Sequence, residues 1–541
     1  MVEAQVQGDA GRGSEASRAY ERRWWILGVL CVSLLVVMLD NTVLNVALPT
    51  LVRDLHASTT QLQWIVDAYT LVFAGLLLTA GSLSDRFGRK LSLGTGLLVF
   101  GAGSVACAFA GSADILIATR AVMGLGAALI MPATLSILIH VFPPQERARA
   151  IGIWAGVSGL GIGLGPLIGG ELLDHFWWGS VFLINVPIVL AALAAVRLIV
   201  PESKDPAASR TDAVGVLLSI VGIVSLIYAI VEAPNRGWTD SLILAMFAVA
   251  AVVLAVFVWW ELRADRPMLD IRLFRNPRFG AANLSIVLVF FAMLGSLFLI
   301  TQYLQFIHGY TPLEAGVRTA PIALIMMVFS PPAGQLVKRV GNKVLVATGM
   351  FIAALGLLLL SRLTAASTYA EFFGAMAVLG VGMAFAMTPA TDSIMGAIPP
   401  ERSGVGSALN DTTRELGGAL GVAILGSIFA SAYASRVTTA VTRLHVHATG
   451  ATKSVGTALG IARGIGGPVG QQLASAASHS FIDAMSRALL VGSFVAFAGA
   501  LVAAIWLPNR APAPSWQGVG DRRMEYAGPS VAARPEPGPA Y

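Results

Sequence analysis

Charged residues are scarce in this sequence of 541 residues: Asp, Glu, Lys and Arg make up only 12% of it, whereas 56% is hydrophobic. A water-soluble domain carries about a quarter charged residues, so the deficit argues against a soluble protein and predicts one embedded in lipid. Cysteine is also scarce, since Cys31 and Cys107 are the only two and both stand in apolar stretches. They are predicted to be packing residues, and no Cys/His cluster has the spacing of a metal site.

Enzyme motifs are missing from the sequence as well. It contains no phosphate-binding loop, nucleophile elbow or zinc motif, so we assign no catalytic residue. The net charge of +6 comes from short basic clusters between apolar runs rather than from a basic surface interleaved with aromatic residues, which argues against a nucleic-acid partner.

Long apolar runs dominate the sequence instead. A helix needs about 20 apolar residues to cross a bilayer, and about fourteen runs meet this length. They lie at 24–48, 61–83, 91–111, 113–139, 150–173, 180–200, 212–232, 240–260, 281–303, 316–336, 343–363, 371–391, 408–433 and 481–507. Because the number is even, both termini lie on one side, where roughly 25 of the 36 Lys and Arg residues also fall. We therefore expect both termini in the cytoplasm, with the protein in a bacterial inner membrane.

The predicted fold is an all-α polytopic membrane protein. Its parts are a cytoplasmic tail (1–23), an N-terminal six-helix bundle (24–200), two additional helices with a cytoplasmic linker (201–280), a C-terminal six-helix bundle (281–507) and a disordered cytoplasmic tail (508–541). The second bundle contains a long connection, 434–480, that is rich in Ala, Gly, Ser and Thr. We expect this connection to lie outside the cell as a surface hairpin or an amphipathic cover.

An internal repeat supports the division into two bundles. The stretch 81–96, GSLSDRFGRKLSLGTG, is similar to 334–349, GQLVKRVGNKVLVATG, and AVMGLG at 121–126 is echoed by AVLGVG at 377–382. The repeats predict two similar six-helix halves with two helices inserted between them. Paired halves with a substrate site at their interface are the architecture of alternating-access transporters.

The loop 81–90 combines two glycines, one acid and three bases. The candidates for a conformational role in it are Gly81, Asp85, Arg86, Gly88, Arg89 and Lys90. Glycine lets neighbouring helices approach closely, and Asp85 is expected to pair with Arg86, Arg89 or helix ends as the two halves rock. This loop resembles the signature loop of the major facilitator superfamily.

Further segments resemble the same superfamily. The stretch 120–128, RAVMGLGAA, is similar to its fourth-helix motif, and 161–170, GIGLGPLIGG, is similar to the fifth-helix motif of its exporters. The residues that carry the second likeness are Gly165, Pro166, Gly169 and Gly170.

Two more segments point to one branch of the superfamily. The stretches 39–49, LDNTVLNVALP, and 63–71, QWIVDAYTL, are similar to the fourteen-span drug:proton antiporters, the multidrug exporters of the QacA/EmrB type. One departure is that many relatives have Trp-Arg-Trp before a segment like 182–187, FLINVP, whereas this sequence reads Trp177-Trp178-Gly179-Ser180 there.

Three ionisable residues stand deep inside the predicted spans of the first half: Asp40, Asp67 and Arg120. At about 1.5 Å per residue they lie at similar depths, roughly 10 Å below the outer end of their spans. Charges in a bilayer are costly, so we expect all three to face the interior and one another. A movement that changes the Asp–Arg distance would change proton occupancy and couple transport to protons.

Alternatives remain open for each of these residues. Asp40 could be a structural hydrogen-bonding group, and Arg120 could be a helix clamp. Asp67 is the candidate for direct contact with a cationic substrate, with a structural role as the alternative.

The second half adds candidates for substrate binding. Asp411 and Glu415 share a helix face near the cytoplasmic start of the thirteenth span, which predicts either an acidic site at the inner mouth or an ion pair with Arg414. Asp483 and Arg487 are expected to form an i,i+4 pair at the outer start of the last span. Candidates for a cavity that binds flat lipophilic cations through cation–π contact are Trp64, Tyr69, Phe298 and Gln302.

The resemblance implies a proton-coupled exporter of lipophilic, cationic drugs, dyes or antiseptics. The proton gradient would supply the energy, no cofactor would be needed, and the partners would be protons, small molecules and membrane lipids around a monomer. A self-resistance exporter of an endogenous antibiotic and a lipid exporter are alternatives on the same fold. A membrane-embedded enzyme or receptor is a remote alternative.

Overall fold

A computed structural model describes residues 20–55, 59–204, 212–264, 267–444, 450–452 and 455–508. All regular secondary structure in these ranges is helical, which confirms the predicted all-α class. The fourteen long helices are numbered here in chain order: α1 (Arg23–Asp54), α2 (Thr59–Phe87), α3 (Arg89–Ala108), α4 (Ala113–Val141), α5 (Pro144–His175), α6 (Asn185–Ile199), α7 (Ala213–Arg236), α8 (Ser241–Arg263), α9 (Pro277–Gln302), α10 (Pro321–Val340), α11 (Asn342–Leu360), α12 (Tyr369–Met395), α13 (Ser403–Arg443) and α14 (Gly467–Trp506).

Thirteen helices, counted over the described residues, are long and apolar enough to cross a membrane. Helix α5 contains a further long run without charged residues, 150–170. It runs the length of the bundle, since it packs antiparallel to α10, with Gly152 against Ser330. Its far end, at Gly170, reaches Leu313 in the short helix before α10. The predicted span 150–173 therefore corresponds to helix α5.

The helices form two groups, α1–α6 and α9–α14, with α7 and α8 between them in the chain. The side of the bundle on which α1 begins and α14 ends is called the terminal face here. The first inserted helix, α7, packs against α2 and α13, and α8 packs against α7. Most of the surface of α8 is exposed, as expected for a helix that contacts lipid.

The predicted external loop 434–480 is largely helical within its described residues. Helix α13 continues to Arg443, a short helix covers Val455–Ile465, and α14 already begins at Gly467. Alanine-rich sequence favours helix even where it is too polar to span a bilayer. Because α14 begins early, Asp483 lies inside the helix and pairs with Arg436 of α13, so the predicted pairing with Arg487 is wrong.

Candidate functional site

The first buried charge cluster joins α1, α4 and α6. Arg120 donates Nη1 to Asp40 Oδ2 at 2.5 Å, and both side chains are 1% exposed. Asn185 donates to Asp40 Oδ1 at 3.1 Å, while Arg120 Nε donates to the carbonyl of Ile65 at 3.1 Å. The guanidinium also lies 4.3 Å from the centre of the Tyr69 ring. Asp40 and Arg120 therefore face the interior and each other, as predicted.

Glycine sets the position of this cluster. A Cβ at Gly124, one turn after Arg120, would lie 2.6 Å from the carbonyl oxygen of Tyr69, so α4 and α2 are in backbone contact there. Asn185, which also donates to Ser104 at 3.0 Å, was missed as a site residue. The signal for it was its place in 182–187, the segment quoted above only for the family likeness.

Asp67 does not join this cluster. Ile65 and Tyr69, four residues apart, both face Arg120. Asp67 lies midway between them, and two residues correspond to about 200° around a helix. Its side chain therefore points to the opposite side of α2, where its electrostatic neighbour is Glu232 on α7. The expectation that all three charges face one another holds for two of them.

The candidate aromatic and amide residues stand on two helices, α2 and α9. The ring of Trp64 contacts Tyr228 of α7, with 6.3 Å between centroids. Phe298 of α9 is 42% exposed and faces Gly426 on α13. Gln302 ends α9 and is partly buried.

The second buried charge cluster spans the two halves. Arg414 of α13 lies 3.7 Å from Asp411, and the two side chains are 4% and 1% exposed. Arg414 also donates to Thr391 of α12 at 3.3 Å. Its guanidinium lies 4.9 Å from the ring of Trp154 on α5 and 5.3 Å from that of Phe290 on α9. Because Trp154 belongs to the first half, this arginine links the halves.

The predicted site at the inner mouth lies deeper than expected. Asp411 is eight residues into α13, which begins at Ser403, so it lies about 12 Å along the helix from the terminal face. Of the two alternatives for this site, the structure contains the ion pair with Arg414. Glu415 is partly buried beside it and is an electrostatic neighbour of Tyr69, so Tyr69 lies between the two clusters.

The signature loop fastens the halves together at the terminal face. Asp85 accepts hydrogen bonds from the backbone N–H groups of Gly404 at 2.9 Å and Val405 at 3.1 Å, in the first turn of α13. Arg89 donates to Asp85 at 3.0 and 2.8 Å and to the carbonyl of Glu401 at 2.7 Å. We call this arrangement the terminal-face clasp. The expected pairing of Asp85 with Arg89 and with a helix end is confirmed.

The rest of the loop supports the clasp. A Cβ at Gly81 would lie 2.5 Å from the carbonyl oxygen of Gly404, so only glycine allows this approach of α2 to α13. Gly88 has a φ of 120°, which lets the chain turn between α2 and α3. Lys90 donates to the carbonyl of Arg197 at 3.0 Å. Arg86 packs on the neighbouring Phe87 ring at 4.8 Å.

The glycines of α5 hold it against α1. A Cβ on Gly165 would collide with the Thr42 side chain of α1. A Cβ on Gly169 would lie 3.3 Å from Val43, the next residue of that helix. Thr42 also donates to a carbonyl of α5 at 3.1 Å. Gly170 faces the short helix before α10, and Pro166 lies in the same stretch of α5. Each of these glycines therefore lies where α5 packs closely against a neighbouring helix.

Comparison with protein families supports this architecture. The family model described as Major Facilitator Superfamily matches residues 30–422. The chain belongs to the major facilitator superfamily. A solved structure of similar fold is that of the human organic anion transporter MFSD10 (TETRAN), with a TM-score of 0.57, 14% identity and coverage of 87% of this chain and 98% of that one.

Curated relatives within the superfamily are more similar in sequence. The multidrug efflux pump LfrA of Mycolicibacterium smegmatis is 36% identical over 90% of this chain and 97% of its own length. The methyl viologen resistance protein SmvA of Salmonella typhimurium is 36% identical over 86% and 95%. The tetracenomycin C resistance and export protein of Streptomyces glaucescens is 36% identical over 77% of each chain. The names of these relatives describe efflux, resistance or export.

Proposed function

We propose that this protein is a proton-coupled multidrug exporter that moves lipophilic cations out of a bacterial cell by alternating access. The names of three relatives, for multidrug efflux, for methyl viologen resistance and for tetracenomycin C export, support drug efflux. The observation that carries the coupling to protons is the Asp40–Arg120 pair, fully buried in the first half.

Asp40 is the proposed proton carrier. In a medium of low dielectric an unpaired charge is costly, so Asp40 keeps its charge while Arg120 and Asn185 hold its two oxygens. A helix movement that withdraws Arg120 favours protonation of the carboxylate. Ile65 and Tyr69 already contact Arg120, so the arginine keeps partners when the ion pair opens.

Asp67 is the proposed contact for the cationic cargo. It is partly buried and lies near Glu232, and the neighbouring Trp64 stacks with Tyr228. Carboxylates next to aromatic faces attract organic cations by charge and by cation–π contact. Asp411 and Glu415 on α13 are proposed as a second acidic stage of the path, and Phe298 and Gln302 as lining residues of the same path.

Transport in inverted membrane vesicles tests this proposal. An imposed pH gradient should drive uptake of a quaternary ammonium dye by the wild type. We expect Asp40→Asn to remove the dependence on the gradient and Asp67→Asn to remove transport of dications while sparing neutral drugs. Asp174→Asn, which changes an exposed acid near the end of α5, should transport normally. Wild-type rates in both the Asp40 and the Asp67 variants would refute the assignment.

The orientation is part of the proposal. The excess of Lys and Arg on the terminal face supports a cytoplasmic location for both termini, and a monomer is sufficient for the two-halved architecture. Reporter fusions at the two ends, one active only in the cytoplasm and one only outside it, distinguish the two orientations.

A further inference from the structure

The two halves meet along two seams at the terminal face, and the internal repeat makes the seams equivalent. One seam joins α2 to the start of α13, and the other joins α10 to the start of α5. At the first seam Asp85 binds the first turn of α13. At the second seam the repeat places Lys338 where the first has Asp85, and Arg339 where it has Arg86. The second seam thus lacks the acid that fastens the first.

A cavity of about 600 Å³ lies at this second seam. Its wall contains Gln145 and Arg149 from the first turns of α5, and Lys338 and Arg339 from the end of α10. At Gly334, which also belongs to the wall, the two helices are in close contact, because a Cβ there would collide with the backbone of α5. The cavity is therefore divided between the two halves and depends on their closed arrangement at this face.

The cavity carries an excess of positive charge. Arg149, Lys338 and Arg339 are exposed, and none of them forms a salt bridge within the described ranges. Among the described residues of the wall the one acid is Glu146, which accepts hydrogen bonds from Nε and Nη2 of Arg23 at 2.7 and 3.2 Å. Arg149 and Lys338 are also electrostatic neighbours of Glu146, so the three cations of the wall face a single acid that Arg23 already pairs.

The remaining cations are suited to a phosphate. The guanidinium of Arg149 lies 5.1 Å from the centre of the Trp24 ring, which orients it beside the cavity. Arginine forms planar, paired hydrogen bonds with phosphate, and lysine supplies a point charge. Helix α5 begins without a side-chain cap, so its positive end adds to the attraction.

The wall also contains the apolar side chains of Pro332, Leu336 and Phe385. A wall that combines cations with apolar side chains fits an amphipathic anion better than a free inorganic ion. Basic pockets between membrane helices on the cytoplasmic side are sites of anionic headgroups.

We propose that this cavity binds the phosphate of an anionic phospholipid, which fastens α5 to α10 as Asp85 fastens α2 to α13. The lipid holds cations from both halves, so it stabilises the arrangement in which the terminal face is closed. Opening that face moves Arg149 away from Lys338 and Arg339 and divides the site. That the lipid comes from the inner leaflet follows from the proposed cytoplasmic location of the termini. The binding of the lipid itself does not depend on the proposed transport activity.

Lipid binding to the purified full-length protein is the direct test. Native mass spectrometry should show phosphatidylglycerol retained on the wild type in preference to phosphatidylcholine. In a variant with Lys338→Gln and Arg339→Gln we expect the affinity to fall about tenfold or more, as for lost charge-assisted contacts. The matched control is Arg275→Gln, which removes an exposed cation from the 3₁₀ helix Ile271–Arg275 and should leave binding unchanged.

Several results would overturn the proposal. Equal retention of the two lipids, or equal losses in the control and the double variant, would mean that no specific site exists. Displacement of the lipid by submillimolar inorganic phosphate would assign the cavity to a soluble anion. Where the double variant fails to fold, Arg149→Gln tests the cavity from the other half, and unchanged lipid binding in that variant would equally refute the site.

Discussion

The terminal-face clasp yields the sharpest prediction, the effect of Asp85→Asn on the balance between closed and open states. The two hydrogen bonds from Asp85 to Gly404 and Val405 cross between the halves, at 2.9 and 3.1 Å. Asparagine keeps one acceptor but loses the charge and the second acceptor. The ion pair between Arg89 and Asp85 lies within one half. It is therefore present in both the closed and the open state and does not bias the equilibrium between them.

The magnitude follows from these contacts. A hydrogen bond to a charged group contributes about 1.5–3 kcal/mol, and a carboxylate at a helix N-terminus adds about 0.3–1 kcal/mol. Two such bonds and the helix-end effect are lost while one neutral hydrogen bond remains, so the net loss to the closed state is about 2–6 kcal/mol. At about 1.4 kcal/mol per factor of ten, the ratio of closed to open molecules should fall at least roughly 30-fold.

Distances between spin labels across the terminal face measure this ratio. Leu91 at the start of α3 and Val344 near the start of α11 are 56% and 42% exposed, so both accept labels in a background without Cys31 and Cys107. We expect a longer distance to become populated in Asp85→Asn. The control is Asp212→Asn, because Asp212 caps α7 through Val214 and Gly215 but bridges no seam. An unchanged distribution in Asp85→Asn, or the same shift in the control, would refute the reasoning.

Three further predictions concern the buried contacts. Gly165→Ala inserts a methyl group against Thr42 and should cost about 1–3 kcal/mol of stability, measured as a lower thermal midpoint. The control is Gly94→Ala, which should not lower the midpoint because no atom lies within 4 Å of the new carbon. Asn185→Ala removes the donor to Asp40 Oδ1 and should lower transport at a given pH gradient while expression is retained; wild-type coupling would contradict the role of Asn185. Arg414→Lys keeps the charge but loses the flat stacking on Trp154 and Phe290, so transport should fall several-fold, and an unchanged rate would show that charge alone suffices.

Much of the fold was predictable because lipid imposes strong constraints on sequence. Backbone groups in a bilayer must bond within their own helix, so hydropathy alone located all fourteen long helices. It failed at 434–480, which is mostly helical in its described residues although it is too polar to span a bilayer. There the helix propensity of an alanine-rich sequence, rather than hydropathy, favours the observed structure.

The sequence predicts those features of the candidate site that follow from the depth of a residue within its own helix. Burial of Asp40 and Arg120 follows from their depth, and their pairing follows from the cost of isolated charges. The direction of Asp67 could not be derived in the same way, because it depends on which helix lies against each side of α2. The inserted α7, with Glu232 and Tyr228, occupies the side to which Asp67 points, and the repeat says nothing about where an inserted helix packs.

The two buried clusters differ in how completely their charges are satisfied. In the first, both oxygens of Asp40 have donors and the pair lies at 2.5 Å. In the second, the pair lies at 3.7 Å, and Asp411 Oδ2 and Arg414 Nε make no hydrogen bond to any described residue. A buried polar atom without a partner costs about 1–3 kcal/mol, so a polar ligand or a proton is bound more favourably there than at a saturated pair. The second cluster also holds Trp154 of the other half, so whatever satisfies Asp411 and Arg414 also acts on the contact between the halves. Binding of a ligand or a proton at Asp411 and Arg414 is therefore linked by geometry to the movement of one half against the other. The Asp40–Arg120 pair differs, because all its partners belong to one half and a movement within that half must break it first.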